Sequence, residues 1–115
     1  MAKVIITDRV EEEVNKIFKK ESTKIFESMR ELESNPHKGK PLGNVGGIFI
    51  KEIRYESYRF YFITDGFRLK ILQKEELNDL IIKFVRMSDK KNQQKTIDEI
   101  KNILRKRLSV SFWRF

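Results

Sequence analysis

Arg59 stands among aromatic and β-branched residues in "YESYRFYFITDGFRLKIL" (residues 55–72), where the stretch around it reads as the central strand of a small sheet. Arg54 precedes it by five positions and Tyr61 follows by two, while Lys51 and Glu52 sit in the run before. A guanidinium keeps its proton under all ordinary conditions, and its planar fork holds two oxygens of a phosphate at once. Arg59 is therefore suited to stabilising negative charge and unsuited to taking a proton. That task falls to another group: a lysine among other cations such as Lys91, Glu52 if it faces the same groove, Tyr61, or Asp89. Spacing alone does not choose among them. An arginine beside an acidic neighbour such as Glu52 is also at home on a solvated sheet face.

The elements that must position these groups follow from periodicity. "KVIIT" (3–7) reads as a short strand, and Asp8 with Glu11 opens a helix whose apolar face is Val10, Val14, Ile17 and Phe18. A second helix runs through Ile25, Met29 and Leu32, so the two form a hairpin with one face to bury. Residues 34–47, "SNPHKGKPLGNVGG", hold both prolines and four of the five glycines and read as a loop. Extended runs follow at 48–55, 58–64, 67–73 and 80–87, with Asp65-Gly66 as a hairpin turn between the second and third. Alternation sends Tyr58, Phe60 and Phe62 to one face and Arg59, Tyr61 and Ile63 to the other. Lys51 and Arg54 fall on opposite faces. Thr96 and Glu99 form a capping box, which starts the last helix there and leaves 88–95 as a basic loop. That helix buries Ile97, Ile100, Ile103, Leu104 and Leu108.

The chain has 115 residues, 39% of them hydrophobic and 11% aromatic, enough for one domain with one core. The domain is taken as 1–115, with 108–115 a possible tail. There is no cysteine and one histidine, so disulfides, cysteine nucleophiles and transition-metal sites are not expected. No run is apolar enough for a membrane span or a signal peptide, and the composition suits a cytoplasmic protein. The "GNVGG" glycines precede a strand, not a helix, and so do not make a phosphate-binding loop. Net charge is +8, and its excess lies beyond residue 37: seven basic and eight acidic side chains before it, eighteen and nine after. Such a field favours polyanionic or acidic partners.

"NPHKGKPL" after the second helix, "GGIFIKEIRYESYRFYF" with Arg54 and Arg59, and "KFVRMSDKKNQQKTIDEI" near the end occur in one order. With the element order, they resemble the RelE/ParE toxin superfamily, most closely its HigB-like and phage-derived branch, over roughly residues 3–107. The resemblance implies an α+β fold: a twisted antiparallel sheet with a short N-terminal strand, two N-terminal helices on one face and a C-terminal helix. It implies a type II toxin, an mRNA endoribonuclease acting on the ribosome without metal or cofactor and inhibited by an acidic antitoxin. By resemblance, Arg59 holds the scissile phosphate, Arg54 is a second cation, and Lys90, Lys91 and Lys95 form the basic loop beside the groove. Lys51, Arg86, His37 and Lys38 complete the expected RNA contacts. Family members often carry a Tyr or His near the C-terminus for proton transfer or stacking, whereas residues 86–111 contain neither. Two other readings are a ParE-like toxin that inhibits gyrase without cutting RNA, and a nucleic-acid-binding module with no catalysis. The aromatics Phe112, Trp113 and Phe115 are expected to stack on bases or to pack on the body or the antitoxin. The sheet face opposite the helical hairpin is expected to be concave, basic and open around Arg59.

Overall fold

The computed structural model describes residues 1–107 and 115, so the expectations for Leu108, Phe112 and Trp113 lie outside the described residues. Strand β1 (Lys3–Ile6) leads into helix α1 (Asp8–Phe18), a 3-10 turn (Lys19–Glu21) and helix α2 (Ser22–Arg30). Thr7 caps α1 one residue ahead of the expected Asp8, its Oγ1 accepting from the Val10 N–H at 3.4 Å. Then come β2 (Lys40–Val45), β3 (Ile48–Tyr55), β4 (Tyr58–Asp65), short helix α3 (Gly66–Ile71), β5 (Ile81–Asp89) and helix α4 (Gln93–Arg107). The sheet order is β1-β5-β4-β3-β2. From β2 to β5 it is an antiparallel meander, with Lys40–Val45 as a strand in place of the expected run 67–73, and β1 pairs parallel with β5, so the sheet is mixed. The fold class is α+β. The helical hairpin carries the chain away from β1, and β2 closes the far edge, which leaves β1 beside β5.

Both faces of the sheet are covered. Val10, Val14, Ile25, Met29 and Leu32 from the hairpin side pack on Phe60, Phe62, Ile82 and Phe84. On the other face Ile97, Ile100 and Leu104 of α4 pack on Val45, Ile50, Tyr61, Ile63 and Val85. The open, basic concave face is therefore corrected: alternate residues of β3 and β4 on this side, Ile50 and Ile63, are apolar and draw α4 over them. The end of this face formed by the last residues of β3 and β5 and the first of β4 is polar, and the buried Lys83 of β5 lies opposite Ile63 further along it. Ile17, expected in the buried stripe of α1, is exposed. Among the described residues no helix is long and apolar enough to cross a membrane.

Three local expectations change for physical reasons. The strand expected over 67–73 is α3, because Asp65 acts as a helix cap, its Oδ1 accepting from the N–H groups of Phe67 (3.0 Å) and Arg68 (3.2 Å). Both sides of β4 are taken by β3 and β5, so that run has no place beside the strand it follows. Its alternating Phe67, Leu69 and Ile71 bury only Leu69. The Gly/Pro segment contains β2, an edge strand in which Pro41 and Gly43 flank a register shift. Helix α4 starts at Gln93, and Thr96 donates its hydroxyl to the Asn92 carbonyl within it, so the expected loop shrinks to Lys90–Asn92.

Gly66 is required where α3 leaves β4. A Cβ there would overlap the Phe49 ring and come within 2.8 Å of the Gly47 carbonyl oxygen, which already accepts from the Gly66 N–H at 2.9 Å. Gly66→Ala is expected to cost about 1–3 kcal/mol through this overpacking. Urea unfolding measures it, and an unchanged midpoint would mean that Phe49 gives way without penalty.

Candidate functional site

Period-2 alternation and strand register together build a small polar grid on the α4 face. Arg54 of β3 pairs across from Arg59 of β4, which pairs with Ser88 of β5. One step toward the sheet interior, Glu52 faces Tyr61, which faces Arg86. The two arginines stand as like charges directly opposite each other, an arrangement that costs energy by itself. Glu52, diagonal to one and adjacent to the other, supplies the compensation. Arg54 donates from Nη2 to Glu52 Oε1 at 3.4 Å, and Arg59 Nε lies 3.9 Å from Glu52 Oε2. Arg59 also donates from Nη1 to the Ser57 carbonyl at 2.9 Å.

The two cations differ sharply in exposure. Glu52 is 1% and Arg59 5% exposed, whereas the Arg54 side chain is 49% exposed. Among the described residues, Glu52 Oε2 and Arg59 Nε are the buried side-chain atoms without a hydrogen-bond partner. Arg59 thus lies on the expected strand and face, but its guanidinium turns against Glu52 and the Ser57 carbonyl and does not project into an open hollow. A desolvated guanidinium requires a counter-charge, and the register places Glu52 nearest.

Tyr61 and Ser88 share a hydrogen bond of 2.7 Å, and Ser88 Oγ donates to the Asp89 carbonyl at 2.9 Å. With its single proton so used, Ser88 accepts from Tyr61. Burial pushes the Tyr61 phenol up from its ordinary value, outweighing the lowering effect of the Ser88 bond. The phenol therefore keeps its proton at neutral pH and acts as a donor. Sequence reasoning placed Ser88 in a loop. The register shift between Tyr61 and Phe62, which sets Val85 and Arg86 on one side, carries Ser88 into the grid.

The remaining sequence-derived residues divide into three groups. Arg86 is in the grid but buried and committed, donating from Nε to Glu99 Oε1 at 2.7 Å and from Nη1 to the Val85 carbonyl at 2.7 Å. Phe115, expected to stack on bases or to pack on the body or the antitoxin, lies over the Arg86 guanidinium, 5.4 Å from ring centre to Cζ. Lys90 and Lys91 are exposed in the turn after β5, and Lys95 is exposed on the first turns of α4. Beside them a cleft of about 360 Å³ opens between α1 and α4, lined by Tyr58, Met87, Ser88, Asp89, Lys95 and Glu99 among others. It exists because β1 pairs with β5 only as far as Phe84. Lys51, His37 and Lys38 gather elsewhere. Lys51 points to the hairpin face, donating to the His37 carbonyl at 2.9 Å with its ammonium 5.9 Å from the Phe62 ring centre, and burial lowers its pKa. His37 is exposed, and Lys38 pairs with Glu31 at 3.2 Å.

Asp89 is engaged at the start of α4, where its Oδ1 accepts from both the backbone N–H and the side-chain amide of Asn92 at 2.9 Å. The backbone bond is the largest cause holding its carboxyl below the ordinary value of 3.8. A depressed folded-state pKa contributes stability above the unfolded-state value and loses it as pH falls through the folded one. The destabilisation caused by Asp89→Ala should therefore be full at about pH 6 and shrink towards about pH 2.5. Urea midpoints across that range check this, and a deficit independent of pH would contradict it.

Among the described residues no group of three His, Asp or Glu side chains is placed to hold a metal ion. No protein-family model matches the chain, and neither curated proteins nor solved structures give a match.

Proposed function

We propose that this chain is a type II toxin-like endoribonuclease that cleaves mRNA on the ribosome without metal and is silenced by an acidic antitoxin. The observation that carries this reading is the pair of guanidiniums set side by side across β3 and β4, with a protonated phenol and a serine hydroxyl in the adjoining positions. Glu52 offsets only part of that like-charge cost, and the half-exposed Arg54 side chain leaves the pair open to a further anion.

In the proposed reaction the ribose 2′-oxygen attacks the adjacent phosphorus. The O2′–P bond forms as the P–O5′ bond breaks, leaving a 2′,3′-cyclic phosphate and a 5′-hydroxyl. Arg54 and Arg59 stabilise charge building on the non-bridging oxygens. Glu52, the carboxylate within the grid, takes the 2′-OH proton. The Ser88 hydroxyl turns from the Asp89 carbonyl to give its proton to the departing 5′-oxygen and takes the Tyr61 proton in its place. Lys90, Lys91 and Lys95 hold flanking phosphates, and the cleft beside Ser88 takes part of the nucleotide. The net charge of +8 suits the polyanion.

The burial of Arg59 favours a second reading, a ParE-like toxin that inhibits DNA gyrase and does not cut RNA. End-labelled mRNA incubated with the purified chain, with and without ribosomes and EDTA, separates the two. Cutting that leaves cyclic phosphate ends, survives EDTA and slows about 10²-fold in Arg54→Ala supports the nuclease. Absence of cutting together with inhibited supercoiling supports the alternative.

A further inference from the structure

We infer that the Glu52 carboxylate is an internal stand-in for the RNA phosphate, holding the arginine pair in a latched state that a phosphodiester must displace. The inference rests on the nuclease reading above and adds the regulation of the same site. A carboxylate and a phosphate present similar oxygen pairs to guanidinium forks. Glu52 spans Arg54 Nη2 at 3.4 Å and Arg59 Nε at 3.9 Å, where the two non-bridging oxygens of a bound phosphodiester would be held. The fit is poor on one side: Oε2 and Nε, both closed to solvent, face each other beyond hydrogen-bond distance and have no other partner. A buried donor and acceptor left unsatisfied carry a penalty. The latch is therefore weak where it must open, and a phosphate oxygen closing on Arg59 Nε satisfies it. The exposed side of Arg54 is where the incoming phosphate first makes contact.

Affinity in such a system is reduced by the fraction of molecules that are latched. Glu52→Asp keeps the charge but is one methylene too short to span both guanidiniums. It should bind a 2′-O-methyl RNA oligonucleotide, which cannot be cleaved, about tenfold more tightly than the parent chain, with Glu52→Gln at least as tight. Tightening by Gln but not by Asp reduces Glu52 to a source of repulsive field and overturns the latch, as does unchanged binding in both. The unsubstituted chain gives a check that needs no variant. On titration with the same oligonucleotide, the Arg59 Nε–H and Glu52 carboxyl resonances should move together, and a stationary Glu52 signal overturns the proposal. Cleavage by the parent chain without tightening in Glu52→Asp removes the latch and leaves the nuclease reading. Tightening in a chain that cuts no RNA removes the nuclease reading and leaves the latch.

Discussion

Arg59→Lys is expected to leave the fold intact and slow RNA cleavage by about 10²–10³-fold. Lysine preserves the buried positive charge opposite Glu52 but loses the planar fork and the Nε donor. Single-turnover cleavage of end-labelled RNA, with urea unfolding to confirm the native state, is the measurement. A lysine variant that cuts at the parental rate means that the guanidinium is not at the phosphate. Arg59→Met tests the same site through stability. It leaves the carboxylate of Glu52, 1% exposed, with Arg54 alone in reach, and removal of one partner from a buried ion pair costs about 3–5 kcal/mol. Replacing both partners, as in Glu52→Leu with Arg59→Met, should recover most of that loss, because no charge remains stranded. The double variant should be stable and inactive. If the double substitution is as damaging as the single, the pair is held for packing and not for charge.

Phe62→Ala is expected to destabilise the chain by about 3–5 kcal/mol, roughly 12–20 °C in Tm. Phe62 is fully buried at the centre of the hairpin-side core, its ring centre 5.1 Å from that of Phe84. Gly39, at φ +107°, passes so close that a Cβ there would lie 2.8 Å from the ring edge. Truncation at Phe62 therefore opens a cavity bounded by the sheet, by Phe84 and by a backbone segment that cannot simply collapse into it. Phe67 is the control, because it is 70% exposed on α3 and its truncation should change stability by less than about 0.5 kcal/mol. Calorimetry on both variants decides the matter, and equal losses would mean that the core has been assigned to the wrong side of β4.

The same strand explains why part of this protein was legible without coordinates. In β4 a two-residue period acts on strongly contrasting side chains, so Phe60 and Phe62 separate from Arg59 and Tyr61 whatever the rest of the chain does. The helical hairpin was legible for a similar reason, since Val10, Val14, Ile25 and Met29 recur at helical spacing and α1 and α2 have nowhere to bury them but the sheet. Local pattern misled where two structures accept one sequence. Asp65-Gly66 serves a hairpin or a helix start equally well, and the occupation of both sides of β4, not the dipeptide, left the run as helix α3.

What remained hidden was every feature that depends on register or on layers. "KVII" carries no information on whether it lies parallel or antiparallel to a partner some eighty residues away, and the choice sets where β1 stops and the cleft beside β5 begins. The coverage of the second face by α4 decides how much of it stays polar. Residue types and alternation by themselves determined that Arg59 and Tyr61 share a face apart from the core aromatics. Only the tertiary structure decided that Glu52 reaches between Arg54 and Arg59, that Ser88 joins Tyr61, and that Lys51 and Arg86 are spent elsewhere. The physical reason is that alternation is a property of one strand, whereas cross-strand register and burial are properties of the assembled sheet.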